Sequence, residues 1–292
     1  METVYHYTSL NGLLGIVKNR SLWATHTSYL NDSTEFFHAL SFAKQIAGGI
    51  FMNDDYLATF GWAVRHALES LSPINLYVTS FSEKPDLLSQ WRGYCPSGAG
   101  LCLGFDFDQL EEFCIRQGYR IEKCIYGHDE QVRQVNFLVQ QCLNDFPRLP
   151  VERAQYDALL SEQRVEFAMN SHALVTSGEG KLEANAAVAW LCNEIVKLAP
   201  LWKNEGFYEE SEWRIVASRL EEPLQFRASS SYLAPYIDLK LLTSGTSSAL
   251  REVIVGPNPN QVRCANSVRM LLEENELGVV PVTYSPLPFN NW

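Results

Sequence analysis

The chain has 292 residues, 46% hydrophobic and 12% aromatic, enough apolar side chain to bury a sizeable core in one large domain or two small ones. Its formal charge of −11 opposes non-specific nucleic-acid binding, which needs lysine and arginine to neutralise phosphates, but leaves room for a local basic groove. The longest apolar runs, such as Gly12 to Val17 and Ala186 to Cys192, fall short of the roughly 20 residues that span a bilayer.

With no charged segment leading into a long apolar one at the start, the expectation is a folded cytoplasmic protein with no membrane partner. The seven cysteines form no C-x-x-C pair, and their odd count and scatter read as reduced thiols, neither a zinc site nor a disulfide framework. The six histidines are far apart and no H-E-x-x-H or aspartate-rich loop occurs, so no metal is expected. No repeat, heptad run or low-complexity tract is visible.

In chain order, Val4 to Thr8 reads as a strand, and Thr8 or Ser9 can cap a short helix marked by Leu10, Leu13, Leu14 and Val17. A second strand follows at Ser21 to Thr25. Asp32 and Glu35 are spaced as a capping box for a helix expected to close at Gly48 and Gly49. Ile74 to Ser82 is a strong strand, Asp86 to Cys95 a short helix or turn, and the loop Pro96 to Gly100 leads into a strand at Leu101 to Phe107.

From about 107 to 205 helical patterns dominate, notably Glu130 to Phe146 and Glu183 to Ala199, with strand-like Tyr119 to Gly127 intervening. Strands return at Ser211 to Ser218, Leu224 to Ala228, Tyr236 to Leu241 and Arg251 to Pro257. A helix at Gln261 to Leu277 and a strand at Val279 to Ser285 close the chain. Strands at both ends with helices between favour α+β, as a single domain over 1–292 with a helical insertion at about 107–205.

Four stretches contain residues that can carry chemistry. Alternation in the first strand places Tyr5 and Tyr7 on one side and Val4, His6 and Thr8 on the other, so His6 beside Thr8 can meet a ligand; a histidine satisfied by a backbone carbonyl gives the same pattern. In Tyr208 to Val216, alternation aligns Glu210, Glu212 and Arg214 on one face and Ser211, Trp213, Ile215 and Ala217 on a core face. Arg214 could then keep Glu212 ionised, although a solvated strand face reads alike. Ser80 and Ser82 share a face at a strand end, outside any G-x-S-x-G, and serines there commonly form turns. Trp91 and Tyr94 could stack on a planar ring with Arg92 near a phosphate, or simply pack; the nearby glycines fit neither a P-loop nor a dinucleotide fingerprint.

The order of these segments resembles the ADP-ribosyltransferase superfamily: a strand with a central histidine, a Ser-x-Ser strand, and a late Glu-x-Glu strand. Tyr5-His6-Tyr7-Thr8, Ser80-Phe81-Ser82 and Glu210-Ser211-Glu212 carry that resemblance. The chain also resembles a bacterial family of unknown-function domains over about residues 4 to 285, through Tyr5-His6-Tyr7, Asn31-Asp32-Ser33-Thr34-Glu35, Trp91-Arg92-Gly93-Tyr94 and Glu210-Ser211-Glu212-Trp213-Arg214.

The first resemblance implies a split mixed β-sheet of ADP-ribosyltransferase type and NAD as substrate. Glu212 and Glu210 would be catalytic, Glu212 stabilising an oxocarbenium-like centre and Glu210 acting on the nucleophile. His6 would meet a ribose, Ser80 and Ser82 would support Glu212, and Tyr7, Trp91 or Tyr94 would stack on nicotinamide, with Thr8 beside them. Arg214 would be a pyrophosphate partner or a charge brace. The acceptor would be a macromolecule, RNA, DNA or protein, and an intracellular toxin or antiphage effector of this kind would need a neutralising antitoxin protein. NAD hydrolysis, a non-catalytic nucleotide sensor and a protein-interaction scaffold are the alternatives.

Overall fold

The computed structural model describes residues 3–30, 34–71, 75–95, 100–218, 223–229, 231–242 and 249–288. Strand β1 (Thr3–Ser9) runs directly into helix α1 (Leu10–Asn19), because the Ser9 hydroxyl accepts from the Gly12 amide at 3.0 Å while its own backbone stays extended. Arg20 in the left-handed region, φ 54°, ends the helix and starts β2 (Leu22–His26). Next come α2 (Thr34–Asn53) and α3 (Ala58–Glu69), then β3 (Leu76–Ser82), α4 (Leu88–Tyr94), β4 (Gly100–Asp106), α5 (Phe107–Gln117) and β5 (Arg120–Lys123). Four helices follow: α6 (His128–Asp145), α7 (Arg153–Asp157), α8 (Ser161–Thr176) and α9 (Gly178–Leu198). The chain continues with β6 (Glu212–Ser218), β7 (Gln225–Ala228), β8 (Leu233–Leu239), β9 (Leu250–Val255), α10 (Gln261–Glu274) and β10 (Val282–Tyr284).

These elements form two compact units. The first, residues 1–31, 75–124 and 205–292, contains every strand named above; the second, 32–74 and 125–204, is helical. The second segment of the helical unit thus starts at 125, where the sequence pattern suggested an insertion from about 107, because α5 and β5 belong with the sheet.

In the sheet unit the order is β10-β9-β4-β1-β3-β2-β8-β7, with β6 also on β3 and β5 on β6. β10 runs parallel to β9 and the other pairs are antiparallel, so the sheet is mixed and the class is α+β. Its core joins Leu101, Leu103, Phe105 and Val253 from the strands to Leu13 and Val17 of α1, Leu110 of α5 and Val268 of α10. The spacing of those helical leucines and valines places them on one face, which the sheet covers.

The helical unit has its own core, with Phe60, Val64 and Leu68 of α3 against Val135 and Val139 of α6 and Leu191 and Ile195 of α9. The sequence pattern left α3 unread, although Phe60, Val64 and Leu68 recur every four residues. Helix α2 also departs from expectation: it does not close at Gly48 and Gly49 but continues to Asn53, whose side-chain amide donates to the Gly49 carbonyl at 2.8 Å. Each glycine costs the helix about 1 kcal/mol relative to alanine, and burial of Leu40 and Ala43 in the helical core offsets it. The proposed capping residue Asp32, with Asn31 and Ser33 of the Asn-Asp-x-x-Glu stretch, lies outside the described residues.

Candidate functional site

The site grows out of β3, where all but Ser80 are buried. One edge of β3 is fully paired with β6, with Ser80 opposite Arg214 and Ser82 opposite Glu212. The other edge is shared: β1 meets it at Tyr5 and Ser82, whereas β2 pairs at Val78 and Tyr77. Between those contacts the sheet is split, and side chains take over the backbone groups there. His6 Nδ1 lies 3.0 Å from the Ser80 carbonyl oxygen, and the Thr79 hydroxyl donates to the Trp23 carbonyl at 2.8 Å.

A carbonyl only accepts, so Nδ1 of His6 carries the proton and Nε2 keeps a lone pair. Burial lowers the His6 pKa from its ordinary value, with the Ser80 carbonyl pulling weakly the other way. Its ring packs 5.9 Å from that of Phe81, a core residue. The backbone-carbonyl reading of His6 is therefore realised, and the side chain still lines the cleft opened by the split.

At the other side of β3 the chain enters β6 through a short 3-10 helix, Glu205–Glu210, and a left-handed residue, Ser211, with φ 44°. The Ser82 hydroxyl donates to the Glu210 carbonyl at 2.6 Å and accepts from the Lys84 amide at 3.0 Å, while the Glu83 amide donates to the Ser211 carbonyl at 3.1 Å. Ser82 therefore fixes the turn that delivers Glu210 and Glu212. Glu210 precedes the strand, so its position comes from this turn and not from the strand alternation the sequence suggested.

Arg214 donates from Nε to Glu212 Oε1 at 2.7 Å and from a terminal nitrogen to Oε2 at 3.3 Å. The two residues are 4% and 3% exposed, so of the two readings of this face the solvated one does not hold, and the face carrying Ile215 and Ala217 is buried as well. A strand paired on both edges and covered on both faces cannot leave a solvated face. The guanidinium favours the ionised carboxylate, and in this pair Arg214 acts as a charge brace.

A cleft of about 50 Å³ gathers Tyr5, His6, Tyr7, Ser80, Phe81, Ser82, Gln90, Tyr94, Glu210 and Glu212. Seven sequence-predicted residues thus converge: His6, Tyr7, Ser80, Ser82, Tyr94, Glu210 and Glu212. Thr8, Trp91 and Arg214 stand outside its lining. Thr8 contributes its carbonyl to the Cys95 thiol at 3.4 Å.

Trp91 is 3% exposed, donates from its indole nitrogen to Asp86 at 2.8 Å and packs edge-on against Tyr7 at 4.8 Å. It is a packing residue, sealed with Tyr7, Cys95, Cys102 and Ile254 in a small core, and is not open to stack on a ligand. In that core burial pushes the Cys95 thiol up to about 12, which keeps it neutral and apolar. Tyr7 is likewise committed: its hydroxyl donates to the Lys84 carbonyl and accepts from the Leu87 amide, both at 2.8 Å, fixing the segment between β3 and α4. Tyr94, 39% exposed, is the aromatic residue at the mouth. Arg92 is exposed.

Sequence reasoning missed Gln90. It is 7% exposed on α4 and its side chain lines the cleft. The signal was a polar residue at a helical position between buried-facing Leu87 and Trp91, where an apolar residue is the rule. A cavity of about 590 Å³ between α1 and α10, walled by Leu10, Leu13, Leu14, Val268 and Leu271, contains none of the predicted site residues. Among the described residues, no group of three or more histidine, cysteine or acidic side chains could hold a metal ion, and no helix is long and apolar enough to cross a membrane.

Comparison with known proteins places a family model described as Protein of unknown function (DUF2971) on residues 90–215, which takes in Gln90, Trp91, Glu210, Glu212 and Arg214. The chain is also similar to the molybdopterin synthase catalytic subunit of Pyrococcus abyssi (strain GE5 / Orsay), 30% identical over 100 residues. That match covers 33% of this chain and 63% of the relative. No solved structure matches the chain.

Proposed function

We propose that the protein is an NAD-dependent ADP-ribosyltransferase acting on a macromolecular acceptor, with its site in the cleft at the split of the sheet. The observation that supports this is the convergence of three sequence-distant motifs, His6, Ser80 with Ser82, and Glu210 with Glu212, on one cleft. The split sheet itself accords with the ADP-ribosyltransferase type of fold that the sequence order suggested.

In this reading the bond between nicotinamide nitrogen and ribose breaks with its electron pair leaving on the nicotinamide. The Glu212 carboxylate, held by Arg214, stabilises the positive charge that develops on the ribose. The Glu212 carboxylate lines the cleft while Arg214 holds it, which puts it where a ribose would sit. Glu210, less buried and in the turn just before β6, takes the proton of the incoming nucleophile. Neutral His6 offers the Nε2 lone pair to a ribose hydroxyl. The cleft as it stands has room for an amide-sized group and not for a dinucleotide, so binding of NAD requires the cleft to widen.

The test is incubation of the protein with NAD labelled on the adenylate phosphate, together with separate pools of RNA, DNA and cell protein. Label in one pool supports transfer and names the acceptor class. Free nicotinamide with no labelled pool replaces transfer by hydrolysis. NAD left intact and unbound overturns the enzymatic reading.

A further inference from the structure

We propose that Gln90 is the specificity-determining residue of the cleft, and that it recognises the primary carboxamide of the nicotinamide ring; this rests on the NAD reading above. Gln90 is 7% exposed and lines the cleft with Ser80, Tyr94 and Glu210. Among the described residues its side-chain amide has no hydrogen-bond partner, whereas the polar neighbours Ser82, Tyr7 and His6 are all engaged. Gln90 is not among the fully buried unpartnered polar atoms, so an otherwise buried side chain presents its accessible amide at the cleft, where a ligand can supply the partner.

The chemistry of that partner follows from the amide. A glutamine side chain presents one acceptor oxygen and a two-proton donor in one plane, so its best complement offers an acceptor and a donor side by side. A primary carboxamide does so. A carboxylate offers acceptors only, leaving the Gln90 oxygen facing another oxygen, with Glu210 and Glu212 on the same cleft adding like charge. Gln90 follows a helix start that Tyr7 pins through Leu87, and Trp91 beside it is locked to Asp86, so the amide is held on a fixed element.

The experiment measures the dissociation constants of NAD and of its nicotinic acid analogue, which differs only in carrying a carboxylate for the carboxamide, on wild type and Gln90→Met. Wild type is expected to prefer NAD. Gln90→Met is expected to lose about tenfold or more in NAD affinity, since two hydrogen bonds go, and to bring the two constants together. Gln90→Asn, which keeps the amide but draws it back by one methylene, should fall between them. A merely structural Gln90 would weaken both ligands alike and leave their ratio unchanged; that result overturns this inference and leaves the NAD reading standing. Wild type that binds neither dinucleotide overturns both.

Discussion

Ser82 and Glu210 are joined by a 2.6 Å hydrogen bond from the serine hydroxyl to the glutamate carbonyl, across 128 residues of sequence. The end of one central strand is thereby bonded to the turn that opens its neighbour, and the two carboxylates of the cleft are placed by that bond. Ser82→Ala removes the hydroxyl that bonds the Glu210 carbonyl and the Lys84 amide in a part-buried setting. The expected loss is about 1–3 kcal/mol, read as a lower urea midpoint with an unchanged slope. A variant as stable as wild type would remove Ser82 from this role.

The pair formed by Arg214 and Glu212 should be strongly asymmetric to mutation. Arg214→Leu removes the guanidinium that balances a buried carboxylate and should cost about 3–5 kcal/mol, whereas Arg214→Leu with Glu212→Leu should recover a large part of that loss. Chemical denaturation of both variants measures the difference; equal losses would mean the charges are not coupled.

His6 gives the stability a pH dependence of known sign. Its pKa in the folded state lies below the ordinary value, so the unfolded chain binds more protons. The contribution is complete above about pH 6.5, the unfolded value, and declines as pH falls from there toward the lower folded value. His6→Gln should therefore flatten the fall in thermal midpoint between pH 7 and pH 5. Parallel curves for the two proteins would contradict the assignment.

Gly256 tests the packing behind the cleft. A methyl there would meet the Trp91 ring at 2.9 Å and the Gly100 carbonyl at 3.1 Å, so Gly256→Ala must displace Trp91 and with it the helix bearing Gln90. The cost should be about 1–3 kcal/mol, with weakened ligand binding although Gly256 does not line the cleft. Tryptophan fluorescence and a urea titration read both effects.

Much of the architecture was legible in the sequence because runs rich in β-branched and aromatic residues mark β1, β3 and β6, and because Ser9 caps the helix that follows β1. The motifs were found for the same reason. Their roles were less legible. Trp91 and Tyr7 looked like stacking rings, yet an aromatic at helical spacing from another packs whenever a strand lies beneath it. Alternation could not show that β6 is covered on both faces, since Glu212 and Arg214 neutralise each other there and read as solvated charge. Gln90 escaped because a single polar residue in a short helix carries no period, and the place of the split along β3, between Val78 and Ser82, escaped because strand pairing is a long-range property.

The central claim is that Glu212 breaks the nicotinamide bond of NAD in this cleft. The measurement is the rate of nicotinamide release from saturating NAD by wild type and by Glu212→Gln, with thermal unfolding of each recorded to establish that both are folded. Release by wild type and a loss of at least about 100-fold in the variant are expected, with NAD affinity nearly retained. Equal release by the two proteins, or none from wild type, would contradict it.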